Sequence, residues 1–510
     1  MDKFDVVIVG NGILGLTLAY FLKKKNPSTS VALIGKSERV GCASLAAGAM
    51  LNLWSELTNG QFENQALAER FKLTRQGVES WEAFAAELSD LSDQKIDIKW
   101  GTYLLRTSRS TQIEDRSFGY IKQSLKRFSI EHKEIIPNDL PWLKPSQCSR
   151  TIEALRVPDG HVDSRKVIQA LDVIMDRLGV KVFNQNALQL ATASSKIFGS
   201  THHVGLDDGT KIVGENIVLA NGAYAQNLID QDSSLKKSMP RLLFGIGSGI
   251  DITFPKWVHE YGGLGREIFD LKEVIRTTDR GGACGVHLVP YGDGRFYAGA
   301  SSLTSLDDDR EPKLHGVHVL LHALVYEIHR TFFSAGIGLR GNGFRPTSAD
   351  CFPMIGETDQ KGIWLLNGTK RDGFSMSPYI SKELASAILG ERTTLPKMFN
   401  PCRNLISYKT KEEAIKEAEL MYVGADYQHG GLQAPYMVDK YLEMRRKEIE
   451  SFYDRRSIDN FGIHPELVHL YENNKFYGQI NHKRDPQEGR KNVLQELSEF
   501  FKPQKTESIT

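Results

Sequence analysis

The stretch Phe4-Asp5-Val6-Val7-Ile8-Val9-Gly10-Asn11-Gly12-Ile13-Leu14-Gly15 constrains this chain more than any other. A run of β-branched residues ends in G-x-G-x-x-G, and an apolar helical pattern follows from Ile13 to Lys25. Each glycine has a physical task. Gly10 permits a tight turn, Gly12 lets backbone approach a pyrophosphate, and Gly15 lets the helix lie close on the strand. The N–H groups at the helix start then face phosphate charge. Glycines also gather at ordinary turns, but this motif sits directly between strand and helix, which points to a dinucleotide site. The second strand is Ser30–Ile34. An acid that holds ribose hydroxyls is expected at its end, about 20 residues past the glycines. That place is Gly35, followed by Lys36, Ser37 and Glu38, so the acid is missing or displaced to Glu38.

With 510 residues the chain is expected to form more than one domain. Its 64 Lys+Arg against 63 Asp+Glu give no reason to expect nucleic acid or an acidic membrane surface as partner. The five cysteines are scattered without a C-x-x-C pair, which suits a reducing compartment and argues against a disulfide framework or zinc ribbon. No apolar stretch approaches the length of a membrane span, and the first strand begins too close to Met1 for a signal peptide. The expectation is a soluble, cytoplasmic protein.

Small residues crowd Gly41–Leu51, where backbone could lie against a flat ligand. Helical spacing of apolar residues predicts helices from about Asn64 to Leu91, and Gly101–Arg106 reads as a strand. Asp159–Asp163 reads as a turn, and an amphipathic helix over Ser164–Leu178 ends at Gly179. Asn216–Ala223 reads as a buried strand running into a glycine turn. Residues 240–305 are strand-rich, and one helix is expected from Lys313 to Ala335. His315, His318, His322 and His329 would share a face of that helix. Only Glu327 stands near as a further ligand, so a half-buried stripe is preferred to a metal site. Gly341–Gly356, a strand at Gly362–Leu366 and the stretch Asn367–Pro378 lead into a helix that starts around Ser377 to Tyr379, runs to Leu389 and is capped by Gly390. A glycine turn opening that helix presents a positive dipole end. From about residue 396 glycine thins, charge rises, and helices such as Glu412–Met421 and Val438–Tyr453 alternate with polar loops. The basic run Arg445–Lys447 is balanced by Glu443, Glu448 and Glu450, a solvated helix face rather than a nucleic-acid surface.

Four of these blocks, taken in order, resemble the FAD-dependent oxidoreductases of the D-amino acid oxidase family, most closely the glycine oxidase branch. They are G-x-G-x-x-G, Ser44–Leu51, Val218–Ala223, and the pair Gly343–Pro346 with Gly368–Pro378. The resemblance covers roughly residues 1–395 and leaves 396–510 unaccounted for. It implies an α/β fold with a Rossmann-like FAD-binding domain from 1–60, 155–235 and 336–395. An antiparallel-sheet α+β substrate domain would come from 61–154 and 236–335. A mostly helical extension with a disordered end would follow over 396–510.

The resemblance also implies roles. Gly10, Gly12, Ile13, Leu14 and Gly15 would hold the pyrophosphate, and Ala43, Ser44, Gly48, Ala49 and Met50 would line the flavin. Leu188 would stand against adenine, and Ala220 and Gly222 would form the second close approach. Thr369, Lys370, Arg371, Asp372, Gly373, Phe374 and Ser375 would run along the flavin's pyrimidine edge. Arg345 would grip a substrate carboxylate, with Arg371 as a second basic group beside it, since a guanidinium fork fixes a carboxylate bidentately. A structural salt bridge from Arg345 to Asp350 is the alternative. Tyr291 and His287 are candidate active-site neighbours, with core or strand-face roles preferred. Asp372 stands where an amide is common, and facing the pocket it would favour a substrate with an additional amine. Glycine at 343, where some relatives link flavin to cysteine, implies non-covalent FAD; Cys42 and Cys351 are the other thiols to consider.

The implied activity is oxidation of the C–N bond of a small amino acid or related amine, with O2 or another acceptor regenerating the flavin. Oxidation of a 2-hydroxy acid is the nearest chemical rival. A flavin-binding subunit that recruits a protein partner, or self-associates, through 396–510 is the rival of a different class.

Overall fold

The structure, a computed structural model, describes residues 2–470 apart from 146–149, 193, 196–198, 258–264, 280–284, 429–434, 460 and 469. The expected disordered end, with Cys148 and Cys284, therefore lies outside the described residues.

Two sheets organise the chain. The first runs in the order Met354–Glu357, Ile363–Asn367, Lys211–Leu219, Lys3–Val9, Val31–Ile34, Lys181–Phe183. Its centre is parallel: Val9 pairs with Leu219 on one side and with Ile34 on the other. Strands covered on both faces have no polar side to show, which is why Val6–Val9 and Val31–Ile34 are apolar at every position. Alternate residues feed separate cores. Val6 and Ile8 join Leu16, Trp81, Leu171 and Ile380 from the helices on one face, whereas Val7 and Val9 join Leu228 and Leu235 on the other.

The second sheet runs Leu303–Ser305, Leu242–Thr253, Arg295–Gly299, His287–Gly292, Val274–Thr277, Lys99–Thr107, Thr151–His161, Met50–Leu51, with Gly336–Ser348 along the free side of Leu242–Thr253. It is antiparallel except where Val274–Thr277 meets Lys99–Thr107. The helix Leu314–Ala323 covers it, Leu320 and Ala323 packing on Ile250, Leu288 and Phe296.

Several elements cross the limits drawn from sequence. Thr151–His161 and Gly336–Ser348 pair in the second sheet, while Gln65–Ser92 packs with Ile13–Lys25 and Gly373–Ile388 on the first. The expected turn at Asp159–Asp163 is strand as far as His161, because Val162 donates to the Ala49 carbonyl and Asp159 is buried under the N–H groups of Trp54 and Ser55. Asp163 instead caps the helix Ser164–Arg177.

The single helix expected over 313–335 is broken. Lys144 donates to the Ile328 carbonyl and accepts from Arg330, which pulls His329 into an extended conformation (φ −154°). His329 is thereby fully buried away from the other three histidines, and His322 turns to the Arg109 guanidinium at 3.0 Å. Among the described residues no His/Cys/Asp/Glu group could hold a metal, and no helix is long and apolar enough to cross a membrane.

Beyond 396, the helices Lys411–Gln428 and Pro435–Arg455 pack together. They form a core with Leu243, Ala349 and Cys351 of the preceding fold.

Candidate active site

The ends of the parallel strands and the facing edge of the second sheet enclose a cavity of about 730 Å³. Gly10 and the Ala220–Gly222 turn close one wall. A Cβ on Gly10 would stand 2.5 Å from the Ala220 carbonyl carbon, and one on Gly15 would strike the Gly10 carbonyl, so neither position has room for a side chain. Gly12 opens the helix Ile13–Lys25 without a capping side chain. Ser44 Oγ accepts from Ile13 N (3.0 Å), which ties the small-residue segment to the helix start. Gly12 and Leu14, whose N–H groups have no acceptor within the helix, also border the cavity, as a phosphate site requires.

All the residues assigned to the cofactor from sequence line this one cavity except Gly15, which packs helix against strand. Ala43, Ser44, Gly48, Ala49 and Met50 form one side, Leu188 stands half exposed at the far end, and Thr369–Ser375 form the opposite edge. Asn367 joins the two glycine turns, its Nδ2 donating to the Gly222 carbonyl (3.0 Å) and its Oδ1 accepting from Gly368 N (2.9 Å). Asn221 Oδ1, also at the cavity, is buried without a partner among the described residues, a polar atom that a bound ligand would satisfy. A long ligand with phosphates at Gly12 and a flat ring system against Gly48–Met50 fits this cradle.

The Gly35 position is explained by Asn11. A Cβ at Gly35 would stand 2.5 Å from Asn11 Oδ1, and Asn11 Nδ2 donates to the Lys36 carbonyl (2.9 Å). An amide from the glycine motif fills the volume that an acid would need, while Glu38 lies exposed at the cavity rim.

Arg345 and Arg371 both line the cavity but differ in environment. Asp350 is not a partner of Arg345; its carboxylate takes the Arg403 fork at 3.0 Å. Among the described residues Arg345 donates to neutral groups, Nη2 to the Ser301 carbonyl (2.9 Å) and Nη1 to Ser302 Oγ (3.2 Å). Arg371 is surrounded by acids: Asp279 at 2.8 Å, and Glu56 and Glu466 each at 3.3 Å. Its charge is already met, so it does not act as a second free cation beside Arg345.

Sequence reading missed the acids around it. Glu56 also takes the fully buried Arg276 at 2.6 Å. Burial pushes the Glu56 carboxyl up, but Arg276 and Arg371 overturn that and hold it at about 2. Asp372 lines the cavity with Arg70 at 3.9 Å, and burial raises its pKa.

Two further side chains face the cavity. His287, for which a core or strand-face place was preferred, lines the cavity while buried with Nδ1 on the Gly285 carbonyl (3.0 Å). Burial and then the Arg276 charge push its pKa down to about 3, so the ring is neutral near pH 7. Tyr297 was missed. Its ring is sandwiched by glycines, a Cβ at Gly48 or Gly249 falling 2.8 Å from ring carbons, and the Arg340 guanidinium stacks 4.6 Å from its centroid. Tyr291, by contrast, does not line the cavity among the described residues.

A signal for this wall was present. Gly245, Gly247 and Gly249 alternate along Leu242–Thr253 and leave one face of the strand bare. Arg345 lies over Gly247, where a Cβ would stand 2.6 Å from its Cζ, and Tyr297 lies over Gly249.

Known proteins resemble this chain over most of its length. The chain is similar to the bifunctional protein ThiO/ThiG of Synechocystis (24% identity over 408 residues, 79% of this chain), spanning about half (54%) of that protein's length. It is 23% identical to the glycine oxidase of Bacillus licheniformis, covering 76% of this chain and 94% of the relative. Among solved structures, glycine oxidase from Geobacillus kaustophilus superposes with a TM-score of 0.63 at 20% identity, over 80% of this chain and all (100%) of that one. Iminodiacetate oxidase from Chelativorans gives 0.61 at 20% identity, over 78% and 98%. Residues 5–387 match the family model described as FAD dependent oxidoreductase, so the chain belongs to that family and is an enzyme with FAD as its cofactor.

Proposed function

We propose that this enzyme oxidises the C–N bond of a small amino acid or related amine carrying a single carboxylate. Arg345 carries the reading. It is a cavity-facing guanidinium whose hydrogen bonds, among the described residues, go to a serine hydroxyl and a backbone carbonyl rather than to an acid. Two of its five N–H groups are so occupied, which leaves others to fork onto a substrate carboxylate and fix the α-carbon. Arg371 is met by Glu56, Asp279 and Glu466, so among the described residues it offers no second free charge to another carboxylate.

FAD, held without a covalent bond, supplies the two-electron acceptor for the hydrogen that leaves the α-carbon. The bare Gly48 leaves room for the Tyr297 ring at this wall, where an added Cβ would stand 2.8 Å from it. His287 stays neutral and adds no competing charge. The N-terminal turn of Gly373–Ile388 directs its dipole at the cavity edge, where negative charge develops. The imine product is released to water, giving an oxo acid and ammonia, and O2 completes the cycle with hydrogen peroxide.

The test is an absorbance spectrum of the purified protein followed by anaerobic mixing with amino acids, amines and 2-hydroxy acids. Bleaching of the flavin by an amine bearing one carboxylate, with ammonia released, is expected. Bleaching by a 2-hydroxy acid alone refutes the C–N assignment, and absence of flavin after FAD addition refutes the reading entirely.

A further inference from the structure

The residues after 396 extend to the active-site edge. Their attachment begins where Arg403 forks onto the fully buried Asp350, at 3.0 Å, and Ile406 N donates to the same carboxylate (3.1 Å). Ile415, Phe452, Ile463 and Leu467 then close on Leu243 and Cys351. Tyr453 Oη accepts from Ile463 N (2.8 Å), which fixes the segment leading to Glu466. Glu466 is 9% exposed, and its carboxylate lies 2.8 Å from Lys370 Nζ and 3.3 Å from Arg371 Nη2. Both cations belong to the turn Thr369–Asp372, and both line the cavity.

We propose that Glu466 is a positioning residue contributed by the extension to the active site, one that holds Lys370 and Arg371 and sets the net charge along the flavin's edge. The proposal rests on the reading that this turn borders the flavin ring. Arg371 has Asp279 and Glu56 as well, but among the described residues Lys370 has no other ion-pair partner. Removing the Glu466 charge leaves one cation uncompensated in a site screened from water. An uncompensated cation there favours the negatively charged reduced ring over the neutral oxidised one. The extension thus tunes how readily the flavin accepts electrons, and it does so without touching substrate.

The experiment measures the midpoint potential of the bound FAD by dye equilibration in full-length holoprotein. Glu466→Gln is expected to shift the reduction equilibrium about tenfold toward reduced flavin, about 30 mV for a two-electron couple. Lys370→Met is expected to shift it the opposite way, and the double variant to lie nearer wild type than Glu466→Gln. Glu450→Gln, on the solvated face of the extension, serves as the unmoved control. A potential that moves in Lys370→Met but not in Glu466→Gln overturns the role of Glu466. Potentials unmoved in both variants overturn the placement of the turn against the flavin. Should Glu466→Gln lose FAD, Glu466→Asp takes its place: its shorter reach loosens the pair with Lys370, and a potential equal to wild type overturns the proposal.

Discussion

Replacing Gly247 with alanine inserts a methyl group into the space where the Arg345 guanidinium lies. The added Cβ would stand 2.6 Å from Cζ and closer still to Nη2, so the fork must lift away. The atoms that move are the far end of a flexible side chain, and the backbone at Gly247 needs no left-handed conformation. Folding is therefore barely disturbed, and restricting the unfolded chain adds roughly 0.4–1 kcal/mol of stability. Function responds differently. Lifting the fork breaks the bonds to the Ser301 carbonyl and Ser302 Oγ and misaligns the N–H groups offered to a carboxylate. One lost charge-assisted hydrogen bond is worth about 1.5–3 kcal/mol, or roughly 10- to 150-fold in affinity. Two assays separate these effects: thermal unfolding of the holoprotein, and a titration with acetate, a bare carboxylate, followed by flavin absorbance. Gly247→Ala should keep its FAD and its melting temperature while acetate affinity and kcat/KM fall by that factor. A folded variant with unchanged acetate binding and turnover would refute Arg345 as the carboxylate site.

Two further outcomes follow from buried charge. Asp350→Asn strips the partner from Arg403, which is 8% exposed; such losses cost about 3–5 kcal/mol, so denaturant unfolding and proteolysis between 396 and 410 should both become easier. Folding holds His161, His287 and His329 at about 4, 3 and 4, below their ordinary 6.5, because burial disfavours the charged ring. Between those values and 6.5 the unfolded chain binds more protons, so stability is full above about pH 6.5 and falls as pH drops. The loss from pH 7 to 5 is about 2 kcal/mol per imidazole, and His287→Gln should flatten the denaturation profile by that share.

Much of the cofactor cradle was legible from residues close together in sequence. Gly10, Gly12 and Gly15 do what a strand–turn–helix demands of them, and the small residues at 43–50, which could equally have packed as a small-residue helix, line the cavity with Ala43–Ala46 as a short helix. Arg345 was legible by resemblance, but its neutral surroundings were not, because Ser301 and Ser302 reach it only through the pairing of Leu242–Thr253 with Gly336–Ser348. Glu56, Asp279 and Glu466 are ordinary loop or helix acids in sequence. Only the fold brings them to Arg371, and so only the fold shows that this arginine is already satisfied. The break at His329 has the same origin: helical periodicity persists through 313–335, but a backbone pairing with Lys144 overrides it. The stripe Gly245, Gly247, Gly249 was visible all along, and its meaning depends on which long side chains lie across it.

The order in which the chain leaves the ribosome acquires meaning from these pairings. Lys3–Val9 is made long before its neighbour Lys211–Leu219, and that strand in turn awaits Ile363–Asn367. The parallel sheet therefore cannot close until Ile363–Asn367 has been made, and such distant pairings are slow to form. Glu466 comes later still, so Lys370 emerges before its partner exists. A nascent chain halted before Glu466 would hold Lys370 without that counter-charge, and the edge of the site is completed only once the segment carrying Glu466 has been made.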